Sequence, residues 1–170
     1  MNITLIGMPG VGKSFIGKKL ANKLGYTFVD VDEIIEKQQG MKLQKILDKN
    51  GENAFIKMEE KAVLSLAGEN QIISPGGSVV YSDEAMAFLK KNSKIIYLKD
   101  KLEKIRQRVS NLNSRGIVGL EGERFGELFL EREKLYEKYA DFIVFVGDFD
   151  DKRIVKEILE KFGINKYLVF

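Results

Sequence analysis

Cysteine and histidine are both absent from the 170 residues of this chain. Disulfides, thiol nucleophiles, zinc sites of the usual kind and imidazole bases are therefore excluded, and a general base has to be a carboxylate or, failing that, a lysine or tyrosine. No apolar run approaches the length needed to cross a bilayer. No basic leader precedes an apolar stretch either, since Met1 opens directly into a strand-like run, so a cytoplasmic protein with no membrane partner is expected. There is no arginine-rich block and no regular interleaving of aromatic with basic residues, which argues against a nucleic-acid partner. The formal charge is +3 with 31% charged residues, a mixed surface whose small excess suits anionic small molecules. No repeat, low-complexity tract or linker divides the chain, and 44% hydrophobic residues are enough for a core. Residues 1–170 thus read as one domain, expected to act as a monomer.

What is present begins at residue 7. Gly7-Met-Pro-Gly10-Val11-Gly12-Lys13-Ser14 matches G-x-x-x-x-G-K-[ST] in full and directly follows the apolar run Ile3-Thr-Leu-Ile6. This is the pattern of a phosphate-binding P-loop. Glycines let successive backbone N–H groups converge on phosphate oxygens, a helix begins there with its positive dipole end inward, and Lys13 adds a full charge. Ser14 is placed to hold Mg²⁺. A Gly-rich turn that merely joins a strand to a helix would account for Gly7 or Gly10 but not for the ordered Gly12-Lys13-Ser14. Gly10, Val11, Gly12, Lys13, Ser14 and Phe15 are the candidate nucleotide contacts.

Short apolar runs alternate with amphipathic ones along the rest of the chain. Strands are predicted over residues 3–6, 27–29, 71–74, 94–98 and 142–146, each apolar enough to be buried on both faces of a parallel sheet. Helices are predicted over 14–24, 33–38, 52–66, 83–91, 101–109, 124–139 and 152–162. The alternation implies an α/β fold, a doubly wound parallel sheet flanked by helices whose ligands bind beyond the carboxyl ends of the strands. Residues 110–122, polar and with glycines at 116, 119 and 122, look like a lid carrying Arg115, or else an ordinary long surface loop.

Candidate chemistry sits at the strand ends. Strand alternation through Phe28-Val29-Asp30-Val31-Asp32 places Asp30 and Asp32 on one side, two carboxylates near the phosphate loop. One carboxylate of such a pair can join the Mg²⁺ shell while the other orients or deprotonates an acceptor hydroxyl, the division that phosphoryl transfer needs. Asp32 is also suited to cap the helix that follows. After the third strand, Ser74-Pro75-Gly76-Gly77-Ser78 offers paired glycines that would allow backbone to approach a ligand closely.

The P-loop, Asp30-x-Asp32, the stretch Gly51-Glu-Asn-Ala-Phe-Ile56-Lys57-Met-Glu59 and the Gly76-Gly77 turn follow one another as in the shikimate kinases. Arg108, Arg115 and Arg132-x-x-x-Tyr136 extend the series. The chain resembles that family from end to end. The resemblance implies a nucleoside-monophosphate-kinase-like fold, a P-loop NTPase three-layer sandwich with a lid, using ATP, Mg²⁺ and a small hydroxylated acceptor. It implies that Asp30 lies in the metal shell, Asp32 meets the acceptor hydroxyls and Gly76 and Gly77 line the acceptor site. It further implies that Arg115 meets the phosphates, Arg108 lies against adenine and Arg132 pairs with the substrate carboxylate.

Three departures from the family pattern fall on the acceptor side. The family carries an arginine where this chain has Ile56, so one cation of the pair that clamps shikimate's carboxylate is missing. Lys57 follows, but one residue is about 100° around a helix, which aims it elsewhere. Pro75 replaces the first of three glycines and removes a backbone N–H. After Arg115 the chain reads Gly116-Ile-Val118 where the family has Pro-Leu-Leu. Three readings follow: transfer of the ATP γ-phosphate to shikimate, transfer to a different polyol or hydroxy acid, or a nucleotide-binding protein that performs no transfer.

Overall fold

The computed structural model describes residues 1–109, 124–148 and 150–164. Five strands, β1 (Asn2–Ile6), β2 (Thr27–Asp30), β3 (Gln71–Ser74), β4 (Ser93–Lys99) and β5 (Phe142–Phe145), form one sheet in the order β2-β3-β1-β4-β5. Every pairing is parallel, with Ile3 opposite both Ile72 and Lys94, and Asp30 opposite Ser74. β1 is therefore central, and all five of its residues are buried. The chain leaves β1 towards β2 on one side and later crosses to β4 on the other. This makes the carboxyl end of β1 the switch point where an open parallel sheet leaves a crevice.

Helices flank the sheet as α1 (Lys13–Leu24), α2 (Val31–Gln39), α3 (Leu43–Asn50), α4 (Glu52–Leu64), α5 (Asp83–Asn92), α6 (Leu102–Val109), α7 (Phe125–Tyr139) and α8 (Asp151–Lys161). The result is a three-layer α/β sandwich in which the phosphate loop joins β1 to α1. In α1 the buried residues Ile16, Gly17, Leu20, Ala21 and Leu24 recur at helical spacing and form the face laid on the sheet. Among the described residues no helix is long and apolar enough to span a membrane. All five expected strands are present within one or two residues. The helices agree as closely, with α4 ending at Leu64 rather than at 66.

Two local differences matter for the site. β2 ends at Asp30, and Val31 already belongs to α2, so strand alternation does not bring Asp30 and Asp32 together. Asp30 is the N-cap of α2, its carboxylate accepting from Asp32 N at 3.1 Å, and the helix cap is what places both acids at the strand end. The cap expected at Asp32 thus lies two residues earlier. Helix α3 was not expected from the sequence. Glu36 secures its start by accepting from Leu43 N at 3.1 Å and from Lys42 Nζ at 2.7 Å. The region expected to form a lid, with Arg115, lies outside the described residues, as do residues 165–170.

Candidate active site

The loop between β1 and α1 sets the floor of the site. Gly12 caps α1 with φ 104°, a conformation that costs a side-chain-bearing residue heavily, and its carbonyl accepts from Ile16 N at 2.9 Å. The first N–H groups of α1 consequently face the crevice with the positive end of the helix. Lys13 Nζ reaches back to the carbonyls of Gly7 at 2.8 Å and Met8 at 3.3 Å. Its ammonium lies deep enough that burial lowers its pKa to about 8, against the opposing pull of Asp32 and Asp30. Ser14 Oγ donates to Asp30 Oδ2 at 3.0 Å.

A cleft of about 450 Å³ opens over this floor. Gly10, Gly12, Lys13, Ser14, Phe15, Asp32, Gly76, Gly77, Arg108 and Arg132 all line it, so ten of the residues singled out in the sequence share one concavity. Three expected members do not. Val11 is fully buried beneath the loop, Asp30 sits behind Ser14, and Ile56 lines a neighbouring cleft of about 770 Å³ between α4 and α7. Lys57 lines that second cleft too and is paired with Glu60 at 2.9 Å.

The glycine turn after β3 is held against the acids and the cation at close quarters. A Cβ on Gly76 would stand 2.5 Å from Glu59 Oε1 and 3.0 Å from Asp32 Oδ1, and one on Gly77 would stand 3.0 Å from Arg132 Nη1. Any side chain at either position would displace these groups. The hydroxyl of Tyr136 donates to Gly77 O at 2.8 Å, which fixes the turn from below and gives the tyrosine of the Arg132-x-x-x-Tyr136 pattern a definite task. Arg132 itself is 1% exposed.

Sequence reasoning assigned no role to four residues that matter here. Glu59 is buried beside Gly76, and burial first, then the Asp32 charge, pushes its pKa up to about 7 against Ser78, Arg132 and Lys13. Asp100, wholly buried, accepts from Arg108 Nη1 at 2.8 Å and so ties this cleft-lining arginine to the end of β4. Phe55 and Leu43 supply apolar lining. Glu59 stands three residues after Ile56, a helical spacing that puts the two positions on neighbouring parts of one face. Leu43 was missed because α3 was missed, although Leu43, Ile46 and Leu47 repeat at i, i+3 and i+4 between two glycines.

The donor set fits a hard cation. A hydroxyl and a carboxylate, Ser14 and Asp30, meet at the phosphate loop, and oxygen donors of this kind suit Mg²⁺ shared with phosphates. Among the described residues no group of three or more acidic side chains forms a metal cage of its own. Bound there, the ion would neutralise charge on the phosphate oxygens. The arrangement as a whole can bind a nucleotide's phosphates at one end and an anionic, hydroxylated molecule at the other, with Asp32 between them.

Comparison with known proteins agrees with this layout. The family model for shikimate kinase matches residues 9–162. A shikimate kinase of Thermodesulfovibrio yellowstonii is 39% identical over 164 residues, covering 95% of this chain and 94% of the relative. One from Caldanaerobacter subterraneus is 35% identical over 164 residues, covering 95% of each. Among solved structures, a shikimate kinase of Acinetobacter baumannii in complex with shikimate superposes with a TM-score of 0.88 at 27% identity, covering 97% of this chain and 94% of that one. The shikimate kinase of Aquifex aeolicus gives 0.84 at 32% identity and covers 99% of both chains. The chain belongs to the shikimate kinase family and is a phosphotransferase with an alcohol acceptor.

Proposed function

We propose that the protein transfers the γ-phosphate of ATP to a ring hydroxyl of shikimate, giving shikimate 3-phosphate. The observation that carries this reading is the single cleft in which the phosphate loop faces Asp32, the Gly76-Gly77 turn and the buried Arg132. In this reading, backbone N–H groups of Gly10 through Phe15 and the Lys13 ammonium hold the phosphates, and Arg108 lies against the base. Lys13 follows the charge that accumulates on the phosphoryl oxygens. Asp32 accepts a hydrogen bond from the acceptor hydroxyl and aligns it for attack. A loose transition state asks for little early proton abstraction, so alignment is the larger part of that role. Gly76 and Gly77 let the acceptor lie flat against backbone, and Arg132 receives its carboxylate. Arg115, assigned by family resemblance, meets the transferring phosphate. Mg²⁺ would be held at Ser14 and Asp30 and would neutralise charge on the phosphate oxygens.

Ile56 favours a second reading, in which the acceptor is another polyol or hydroxy acid, because an apolar side chain stands where the family carries a cation. The test for both is ATP turnover measured against shikimate, quinate and gluconate. Shikimate as the substrate with the highest kcat/KM supports the first reading. A clear preference for one of the others overturns it.

A further inference from the structure

Arg132 is fully buried, and one edge of its guanidinium is held by Tyr81, a residue outside the cleft. Its Nε donates to the hydroxyl of Tyr81 at 3.3 Å, and its Cζ stands 5.2 Å from the centroid of the Tyr81 ring. On the opposite side, Nη1 lies against Gly77 at the cleft wall. Tyr81 therefore engages the Nε edge of the guanidinium, while Nη1 lies on the Gly77 side. Tyr81 follows the Gly76-Gly77 turn in the 3₁₀ turn Val79–Tyr81, so the residue that orients the cation and the backbone that approaches it come from one short segment.

We infer that Tyr81 is a positioning residue for acceptor binding, setting the plane of Arg132 so that its terminal nitrogens meet an anionic group of the acceptor without prior reorganisation. This rests on the reading that Arg132 receives the acceptor's carboxylate. A guanidinium is planar, with donors in a fixed fork, so holding Nε and stacking one face determines where Nη1 and Nη2 point. Fixing that geometry before binding removes the ordering entropy that a long, free side chain would lose on contact with the anion. Such fixing matters more at a site where Ile56, lining the adjacent cleft together with Tyr81, offers no donor.

The test is a double-mutant cycle of Tyr81→Phe and Arg132→Lys, with KM for shikimate, KM for ATP, kcat and melting temperature measured for each protein. Tyr81→Phe keeps the ring and removes only the hydroxyl. It is expected to raise the KM for shikimate about fivefold while kcat and the KM for ATP change less than twofold. Lysine has no Nε–H on a planar head, so in the Arg132→Lys background Tyr81→Phe should change the KM for shikimate less than twofold. An unchanged KM in Tyr81→Phe alone, or the same factor in both backgrounds, overturns the inference, since a generally structural hydroxyl would act additively. If Arg132→Lys leaves the shikimate KM unaltered, the carboxylate reading of Arg132 falls, and the inference falls with it. Retention of that arginine effect with no effect of Tyr81→Phe removes only the positioning role.

Discussion

Ser78 Oγ donates a 2.6 Å hydrogen bond to Glu59 Oε2, while Glu59 Oε1, buried against Gly76, has no hydrogen-bond partner among the described residues. Burial and the nearby Asp32 raise the Glu59 pKa from 4.5 to about 7. Below pH 4.5 the folded and unfolded chains both hold this proton. Between 4.5 and 7 the folded acid keeps a proton that the unfolded one has lost, so this group's contribution to stability falls as pH rises and is gone above the folded pKa. At one pKa unit per 1.36 kcal/mol the full difference is about 3 kcal/mol. Glu59→Gln, which keeps an acceptor for Ser78 and removes the titration, should raise the melting temperature at pH 8 by roughly 5–10 °C and leave it little changed at pH 4. Thermal unfolding at both values checks this, and an equal gap at the two pH values would refute it.

Lys13 is expected to be indispensable to turnover and dispensable to the fold. Its depressed pKa of about 8 adds a second expectation. A triphosphate beside the ammonium favours the charged form, so nucleotide binding above pH 8 should draw a proton from solution. Calorimetric titrations of wild type with Mg-ATP at pH 8.5, in buffers of different ionisation enthalpy, should report net proton uptake. Lys13→Ala should show none, lose activity by several orders of magnitude, and keep its melting transition. Activity retained near the wild-type level would remove Lys13 from the transferring site.

Asp100 has its place through Arg108. The carboxylate is wholly buried and the guanidinium reaches it at 2.8 Å, so Arg108 is held over the phosphate loop instead of waving in solvent. Asp100→Asn weakens a charge-assisted hydrogen bond worth about 1.5–3 kcal/mol, and the KM for ATP should rise about tenfold. Inhibition by inorganic tripolyphosphate, which has no base to meet Arg108, should change less than twofold. Equal losses for both ligands would mean that Asp100 supports the loop and not the base contact.

The sequence showed most of the fold because its strongest signals are local. The apolar runs of β1 and β4 are long enough to be unmistakable, and the P-loop places a strand before it and a helix after it. The weaker signals failed for physical reasons. α3 is eight residues long with only Leu43 and Ile46 buried, too short for its periodicity to stand out, and its start depends on Glu36, seven residues upstream of Leu43. Asp30 and Asp32 do share the site, but a helix cap brings them there, and capping geometry cannot be told from strand alternation over three residues. Asp100 behind Arg108 and Tyr81 behind Arg132 are contacts across 8 and 51 residues, respectively, which no local pattern encodes.

Ile56→Arg separates the two acceptor readings. Position 56 lines the cleft beside the one that holds Arg132, and Glu59 lies three residues further along α4, within reach of a long side chain at 56. An arginine there would meet the Glu59 carboxylate, whose Oε1 has no hydrogen-bond partner among the described residues, and would pull its pKa down from about 7. With that charge balanced, the guanidinium can add a second donor set for an acceptor carboxylate. If shikimate is the acceptor, the KM for shikimate should fall about tenfold with kcat within threefold, which is the effect of gaining one charge-assisted pair. If the acceptor has no anion at that point, the substitution only puts a larger, polar side chain where an apolar one now stands, and kcat/KM for the preferred substrate should drop instead. Steady-state kinetics of wild type and Ile56→Arg with shikimate decide between them. A low wild-type KM that the arginine does not improve would mean that Arg132, held by Tyr81, already saturates the carboxylate, and that the isoleucine does not mark a changed acceptor.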